Sequence, residues 1–570
     1  MKLDAFAIQQ FTTKQAVRRT ACSVSRRNML LGTSTFSGMM MNQMLSPHLA
    51  PAETTQNILL GLENRISEFT LSNGMHFLVY ERHGAPLVSC IIHANVGAFD
   101  DEEGSTGIAH LLEHMAFKGT SEVGSKQWKL EEPLLKAVDE AFYDVRAARE
   151  EMLVSGGMGA FVTNRKLQRL ESTFLKLQED AAKLATPNAY GSILQQAGAL
   201  GLNATTSQDE TRYFVSLPSN KLELWFALEA RRFQDPVFRG LYSEKKVVAE
   251  ERKLRVDTSP LGKYQQNFAL AALGNNYRRP VIGFAEDVDR MGRKEVDAFF
   301  RKYYGPANLT AAVVGDINPE QVQQLAEAYF GCWNPSGYTH LPSGNQLMTL
   351  SRSEASPRAS DKVTAGQHSA ACSTATDTDA SKASVICTES SEAGPLCLLG
   401  FYRPSLIGLD GVPYQVVSEI LTGGRTSRLI SSLVLKKQSL LAVSMDPAFS
   451  GEKHAGLSLL YVMPAKGYSP ADADALVQSE LNRVIADGVS VEELNRIKKA
   501  ASMGIYGTLQ SNMGVATMLT SSHATTGSWK GVLDELTAIN ELGVLDCSNV
   551  IDLYLSKNNC IKGYVEALTV

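Results

Sequence analysis

The sequence predicts an α+β fold made of two similar α/β sandwich halves joined by a linker, with a helical-hairpin insertion in the first half. At 570 residues the chain is too long for one ordinary core. Strand patterns precede helix patterns on both sides of a long polar segment, 336–394. No glycine-rich strand–loop–helix signature occurs, so a nucleotide-binding fold is not favoured. These observations divide the chain into a first domain, 60–335, and a second domain, 395–570.

The first domain opens with strand signals. "EFTLSNGMHFLVYER" has Asn73-Gly74 between two alternating apolar runs, which predicts a β-hairpin. "PLVSCIIHANVG" follows as a buried strand. Residues 336–394 are instead dominated by Ser, Ala, Thr and Asp and have no apolar period, which is typical of a flexible linker.

Residues 126–184 are predicted to be an inserted antiparallel helical hairpin. Two stretches carry apolar residues at helical spacing, and "SGGMG" separates them. The first stripe consists of Leu134, Val138, Phe142 and Val145. The sequence leaves open whether this hairpin serves the rest of the domain or only packs on itself.

Residues 1–52 are predicted to be a targeting segment. They contain six basic residues and one acidic residue, with the twin arginine Arg26-Arg27 before a weakly apolar run. Thr33, Ser34, Asn42 and Gln43 interrupt that run, so no membrane span is expected. The first interpretation is a plastid transit peptide followed by a thylakoid-lumen signal, which places the protein in the chloroplast. Bacterial export to the periplasm and a disordered basic arm are the alternatives.

Composition excludes several classes of function. The net charge is -5 and no basic run follows residue 60, so nucleic acid is not an expected partner. Eight cysteines are scattered without a Cys-x-x-Cys pair, which argues against a thiolate metal site or a disulfide framework.

One short motif carries chemistry. In "GIAHLLEHMAFKGT", His110 and His114 are one helical turn apart and can present imidazole nitrogens to one zinc ion. Glu113 lies on nearly the same face, where its carboxylate can take a proton from a zinc-bound water. The order His-x-x-Glu-His is that of inverted zincins. Because five positions with three fixed residues recur by chance, a third ligand on another helix is needed.

The stretch "LYSEKKVVAEERKLRVD" offers that ligand. Glu244 and Glu251 are two turns apart on one helical face, and Val247 and Val248 are expected to turn this face inward. Buried carboxylates are costly unless they meet a cation. Glu250 points about 100° away from Glu251. A solvated charged helix would explain the neighbouring basic residues but not an inward pair of glutamates.

These motifs resemble the pitrilysin and mitochondrial-processing-peptidase family of inverted zinc metallopeptidases, in a short two-domain form of bacterial or plastid type. "HLLEHMAFKGT", "GLNATTSQDETRYFVSLP" and "FFRKYYGPANLTAAVVGDINPEQV" carry the resemblance, which runs from about residue 65 to 565. It implies a processing-peptidase-like fold, in which 60–335 is the catalytic zinc domain and 395–570 is a second peptidase-like domain.

The resemblance also implies roles for individual residues. One Zn²⁺ per chain would be bound by His110, His114 and Glu251. Glu113 would be the general base, and Glu244 would orient a ligand or water from behind. The 126–184 insertion accounts for most of the long interval between His114 and Glu251.

Substrate contacts follow from the same resemblance. Asn203 and Ala204 would lie on an exposed edge strand to which an extended peptide adds. In the second domain, the family's carbonyl-holding Arg and Tyr align with Val434 and Leu441, which cannot donate hydrogen bonds. Arg428 has a different helical phase. The missing pair would come from a partner subunit or a homodimer, unless the oxyanion is stabilised in another way.

The sequence therefore predicts a zinc metalloendopeptidase that hydrolyses short unfolded peptides, such as targeting or degradation peptides. The first alternative is a catalytically weak or inactive structural subunit of a complex, which the loss of the Arg/Tyr pair favours. A peptide-binding chaperone is the second alternative. It would need a structural zinc, which four protein ligands usually close.

Overall fold

The structure is a computed structural model that describes residues 61–63, 65–154, 158–334, 385–391, 394–556 and 559–567. The predicted targeting segment, 1–52, and most of the predicted linker lie outside these residues. Two β-sheets and the helices around them form the described part, so the predicted α+β class is confirmed. No helix of the described ranges is long and apolar enough to cross a membrane.

Six strands form the first sheet in the described part of the first half. They are β1 (Ile66–Thr70), β2 (His76–Glu81), β3 (Leu87–Ala94), β4 (Leu200–Thr206), β5 (Thr211–Pro218) and β6 (Leu309–Gly315). Their order is β1-β2-β6-β3-β5-β4, with β2 and β6 parallel and the other neighbours antiparallel. Gly74 has a φ of 94° at the turn between β1 and β2, which confirms the predicted Asn73-Gly74 hairpin.

The second sheet has five described strands. They are β7 (Val385–Ser391), β8 (Leu396–Arg403), β9 (Leu440–Asp446), β10 (Gly456–Pro464) and β11 (Cys560–Ala567). Their order is β7-β11-β8-β10-β9. The prediction that the linker extends to residue 394 is wrong at its end, because β7 pairs in parallel with β11. Backbone pairing to a strand far along the chain creates β7, and a local search for apolar periodicity does not detect it.

Helices surround the sheets in both halves. Those of the first half are α1 (Ile108–Met115), α2 (Trp128–Val154), α3 (Met158–Leu184), α4 (Ala189–Gln196), α5 (Leu222–Gln234), α6 (Leu241–Arg252), α7 (Pro260–Ala272), α8 (Ala285–Arg290), α9 (Arg293–Tyr303) and α10 (Pro319–Phe330). Those of the second half are α11 (Val412–Thr422), α12 (Pro470–Asp487), α13 (Val491–Leu509), α14 (Asn512–Thr526), α15 (Gly531–Glu541) and α16 (Val544–Tyr554).

The predicted helical hairpin is formed by α2 and α3, and it packs against α6. The Phe142 ring stacks on the Tyr242 ring at 4.5 Å, and the Tyr242 hydroxyl donates to Asp139 at 2.8 Å. Lys245 places its ammonium 4.4 Å from the centre of the Phe142 ring. The alternative that the hairpin packs only on itself is therefore wrong, because it supports the helix that carries Glu244 and Glu251.

Both faces of the first sheet are buried, but by different parts of the chain. On β2, Phe77 and Val79 join a core built from helices of the first half. Leu78 and Tyr80 point the other way and join a core that contains Val515 and Leu519 of α14. Since side chains alternate along a strand, one apolar run serves both cores.

The second sheet receives a helix from the first half in return. Tyr264 and Phe268 of α7 are fully buried against Leu398, Leu457 and Leu459 of the second sheet. The opposite face of that sheet packs on helices of its own half. The two halves thus exchange helices, and neither buries both faces of its sheet alone.

Asp209, at the turn between β4 and β5, ties the halves together. Its carboxylate accepts hydrogen bonds from the Tyr277 hydroxyl at 2.7 Å and from the backbone N–H groups of Glu452 at 2.5 Å and Lys453 at 3.2 Å. Asp209 and Tyr277 are both buried. A buried charged acceptor with three donors stabilises the contact, and its loss leaves those donors unsatisfied.

We expect Asp209→Ala to lower the free energy of unfolding by about 2–4 kcal/mol, because buried donors lose a charged acceptor. The midpoint of urea unfolding, followed by circular dichroism, measures the change. Asp552→Ala, at an exposed position of α16, is the matched control and should leave the midpoint unchanged. Equal midpoints for the two variants would contradict this role of Asp209.

Candidate metal centre

The helix α1, which carries both histidines, begins at a glycine that the backbone requires. Gly107 has a φ of 86°, and a Cβ there would lie 2.7 Å from the Ile282 carbonyl oxygen. The Asp101 carboxylate accepts from the N–H groups of Gly107 at 2.6 Å and Ala109 at 3.2 Å. These bonds satisfy donors that the first turn of a helix leaves free. The start of α1, and with it the position of both histidines, is therefore fixed.

The structure brings together the three predicted metal ligands. Nε2 of His114 lies 3.4 Å from Oε2 of Glu251, and Nε2 of His110 lies 3.7 Å from the same oxygen. One donor atom from each residue lies within 4.8 Å of the others. The two imidazole rings are 4.7 Å apart at an angle of 69°. Two nitrogens and one carboxylate oxygen are a donor set that catalytic zinc accepts.

The protonation of His110 also fits a metal ligand. Burial lowers the pKa of His110 to about 3, and the positive charges of His114 and Arg255 act in the same direction. The ring is therefore neutral near pH 7, which is the form that coordinates a metal. His110, His114 and Glu251 thus have the chemistry and the spacing to hold Zn²⁺.

Glu251 extends into this site from α6. It lies at the edge of the helix face that packs against the core. Val248 is fully buried, but Val247 is 51% exposed, so the prediction that both valines turn inward is wrong. The line from Glu244 to Glu251 runs between the two valines on the helix surface. Only the side of this line that bears Val248 packs against the core, and the other side is open.

Glu113 lies beside the ligands and contacts strand β4. Thr206 donates a hydrogen bond of 2.5 Å from Oγ1 to Oε2 of Glu113. Burial raises the pKa of Glu113, although the Thr206 hydrogen bond and the charge of His114 oppose this. A carboxylate with a raised pKa accepts a proton more readily near neutral pH. Sequence reasoning did not single out Thr206, although it belongs to the segment expected to bind substrate.

Glu244 lies behind His114, at the place that the family resemblance implies. Nδ1 of His114 donates to Oε1 of Glu244 at 3.0 Å, and Lys118 donates from Nζ to Oε2 at 2.5 Å. Burial opposes protonation of His114, but the Glu244 hydrogen bond and the nearby carboxylates outweigh it and raise the pKa of His114. The same bond leaves Nε2 of His114 directed at Glu251. Lys118, in the "FKGT" that follows α1, was missed.

Arg255 is a second missed residue. It lies in a π-helical turn, Lys253–Asp257, that follows α6, and its guanidinium is 2.9 Å from Oε1 of Glu251. Its side chain is 63% exposed. Arg255 therefore binds the carboxylate oxygen that does not face the histidines. Its position four residues after Glu251 could have indicated this contact, because side chains four residues apart meet on one face of a helix.

The structure places Asn203 and Ala204 on β4, which is the outer strand of the first sheet. Asn203 is exposed, whereas the Ala204 side chain is buried in the core of the first half. The backbone of β4 has one paired edge, with β5, and one edge without a partner strand among the described residues. A role for these residues in binding peptides stays a prediction.

In the second half, neither of the two positions that align with the family's carbonyl-holding Arg and Tyr carries a side-chain hydrogen-bond donor. Val434 is partly buried against the core of the second half, and Leu441 on β9 is 61% exposed. Arg428 is bound to the Glu493 carboxylate and to the Gly488 carbonyl at 3.0 Å. Its guanidinium is therefore held within the second half.

Comparisons with known proteins find sequence similarity in both halves of the chain. Residues 77–137, which include α1, match the family described as insulinase (peptidase family M16), and residues 290–501 match the domain described as peptidase M16 inactive domain. The zinc protease PqqE of Helicobacter pylori is 23% identical over 85% of this chain and 89% of its own length. An uncharacterized zinc protease of Mycobacterium leprae is 26% identical over 64% of this chain and 76% of its own length.

Solved structures show the same fold. A protease from Helicobacter pylori superposes with a TM-score of 0.65 at 19% identity, covering 88% of this chain and 99% of that chain. Pitrilysin superposes with a TM-score of 0.59 at 15% identity, covering 88% of this chain and 45% of that chain. The sequence thus matches both an N-terminal and a C-terminal domain of peptidase family M16, and its fold is that of pitrilysin-like M16 proteins.

Proposed function

We propose that the chain is a zinc-dependent endopeptidase that hydrolyses peptide bonds of short unfolded peptides. The observation that carries this proposal is the convergence of His110, His114 and Glu251 to within 4.8 Å, with Glu113 one turn after His110. Relatives that are named zinc proteases support it. One Zn²⁺ per chain is proposed at this centre.

The proposed chemistry divides between the ion and the side chains. Zn²⁺ supplies Lewis acidity, which acidifies water and polarises a carbonyl group. Glu113 accepts the proton of the attacking water and later gives it to the leaving amine, a role to which its raised pKa is suited. Thr206 holds the Glu113 carboxylate in place, and Glu244 holds the ring of His114.

The proposed substrates follow from strand β4. Its outer edge offers backbone hydrogen-bonding groups, and Thr206 at its end contacts Glu113. A peptide that adds to this edge as an extended strand would be recognised through its backbone. Asn203 and Ala204 belong to the part of β4 that such a peptide would follow. Only an unfolded segment can adopt this geometry, which favours targeting or degradation peptides.

A catalytically inactive subunit of a complex is the second candidate. The match of residues 290–501 to a domain described as inactive favours it, as do Val434 and Leu441. That match lies outside α1 and α6, whose ligands are all present. The match to a domain described as inactive is compatible with a metal centre that has all three proposed ligands. The condition is that a partner subunit, or a second copy of this chain, supplies the Arg/Tyr pair.

Export is proposed for the segment 1–52. The named relatives are bacterial, and the Escherichia coli protease PqqL is described as periplasmic. This favours the exported alternative over a chloroplast location, which no comparison supports. The twin arginine Arg26-Arg27 would then be read by the bacterial export pathway.

Glu113→Gln should retain zinc and lose cleavage of an unstructured peptide by about 10²–10⁴-fold, because the amide cannot accept the proton. Zinc content and the rate of peptide cleavage are measured on the same preparation. Glu103→Gln, at an exposed position, is the control and should cleave at the wild-type rate. Equal rates for Glu113→Gln and wild type, or a wild type without zinc, would refute the proposal. A wild type that binds zinc but cleaves no peptide would favour the inactive subunit.

Glu244→Gln should weaken zinc affinity by about 10–100-fold, because the charge that orients and polarises His114 is lost. Competition with a chromogenic chelator measures the affinity. Glu250→Gln changes an exposed carboxylate on the same helix and should bind zinc as wild type does. The orienting role fails if the two variants bind zinc equally.

The oligomeric state tests whether a second chain supplies the Arg/Tyr pair that Val434 and Leu441 replace. We expect the purified chain to cleave slowly as a monomer and faster when a second copy or a partner subunit is bound. Light scattering coupled to chromatography, with activity measured across the peak, makes the comparison. Cleavage at full rate by a monodisperse monomer would show that no second chain is needed.

A further inference from the structure

A second group of His and Glu side chains with the spacing of metal ligands lies on the other face of the first sheet. Glu68 of β1, His76 of β2 and His523 of α14 each offer one ligand atom, and these atoms lie within 4.8 Å of one another. His76 shares its face with Leu78 and Tyr80, which pack on α14. The centre formed by α1 and α6 belongs to the opposite face, whose core contains Phe77 and Val79. The two groups are therefore separate.

Strand register brings the two sheet residues together. Thr70 pairs with His76, and Glu68 pairs with Leu78, so all four side chains lie on one face. Farther along, this face is apolar and is covered by α14. It becomes polar at the end where His523 lies, so a histidine of the second half meets a histidine and a glutamate of the first.

The imidazole rings of His76 and His523 lie against each other, and each has a buried nitrogen. The His76 and His523 rings stack at 4.0 Å with an angle of 5°. Nδ1 of His76 is bonded to the Thr70 hydroxyl at 2.9 Å, and Nε2 lies 3.4 Å from Oε2 of Glu68. Nδ1 of His523 is buried and has no hydrogen-bond partner among the described residues, and Nε2 of His76 is buried with the Glu68 carboxylate as its polar neighbour. Buried polar atoms of this kind are costly unless something binds them.

Both rings are in the form that binds metals. Burial lowers the pKa of His523 to about 4, and the proximity of His76 acts in the same direction because the two rings cannot easily be protonated together. Burial also lowers the pKa of His76, although the Glu68 carboxylate opposes the effect. Two neutral imidazoles beside a carboxylate are ligands suited to Zn²⁺ and similar ions.

We propose that Glu68, His76 and His523 bind a second divalent transition-metal ion, with Zn²⁺ as the expected ion. Binding would require the rings to tilt out of the observed stack so that Nε2 of His76 and Nδ1 of His523 face the ion. The Thr70 hydroxyl fixes His76 through its other nitrogen, as the outer partners of metal-bound histidines do. The ion joins the β1–β2 hairpin of the first half to α14 of the second half. It therefore links the two halves and takes no part in peptide hydrolysis.

Metal stoichiometry tests the site in a variant that lacks the first centre. After incubation with Zn²⁺ and desalting, wild type should hold two ions per chain and His110→Gln/His114→Gln should hold one. Adding His523→Gln to that double variant should remove the remaining ion. Adding His83→Gln instead, at an exposed histidine, should leave it bound. A double variant that holds no ion, or an ion that survives His523→Gln, overturns the proposal.

A second variant and a second readout separate binding from folding. Glu68 is 46% exposed, so Glu68→Gln is expected to fold normally while losing the bound ion. In the His110→Gln/His114→Gln background, Zn²⁺ should raise the Tm, because an ion that binds only the folded chain stabilises it. Adding Glu68→Gln should abolish this rise without changing the Tm in the absence of metal. A rise that persists with Glu68→Gln contradicts the proposed ligand set.

Discussion

The approach of the Glu251 carboxylate to the imidazoles of His110 and His114 constrains the whole first half. The two elements that carry these groups, α1 and α6, are separated in sequence by the hairpin, α4, β4, β5 and α5. Each is held by contacts that have no part in the chemistry: Asp101 bonds the start of α1, and Phe142 stacks on α6. Such supporting contacts keep ligand atoms within the small distances that a metal ion requires.

Two carboxylates at this centre, those of Glu244 and Glu251, lie next to positively charged side chains. Lys118 and His114 bind Glu244, and Arg255 binds the outer oxygen of Glu251. Glu244 and Glu251 thus both have positive neighbours that offset the cost of their burial. Arg255 is exposed and lies in the π-helical turn after α6, where it adds positive charge next to the candidate ligands. The electrostatic environment of the centre depends on this residue as well as on the motif.

Much of the fold and most of the candidate ligand set could be predicted from sequence, for physical reasons that differ by residue. The helical spacing of His110 and His114 is local, so it can be read directly. Glu251 required the resemblance to a family, because spacing alone favoured Glu244 and Glu251 equally. Thr206, Lys118 and Arg255 make contacts set by tertiary packing, which no periodicity encodes. Strand β7 was missed for the same reason, since its partner β11 lies at the far end of the chain.

Because the halves exchange helices, neither half can be separated from the other, or change its interface residues, without affecting the other. If the gene were cut between the halves, each product would present one bare apolar sheet face, and such faces drive aggregation. Changes in Val515 or Leu519 are constrained by Leu78, and changes in Leu398 are constrained by Phe268. The two halves therefore have to evolve together, even though each carries its own sheet.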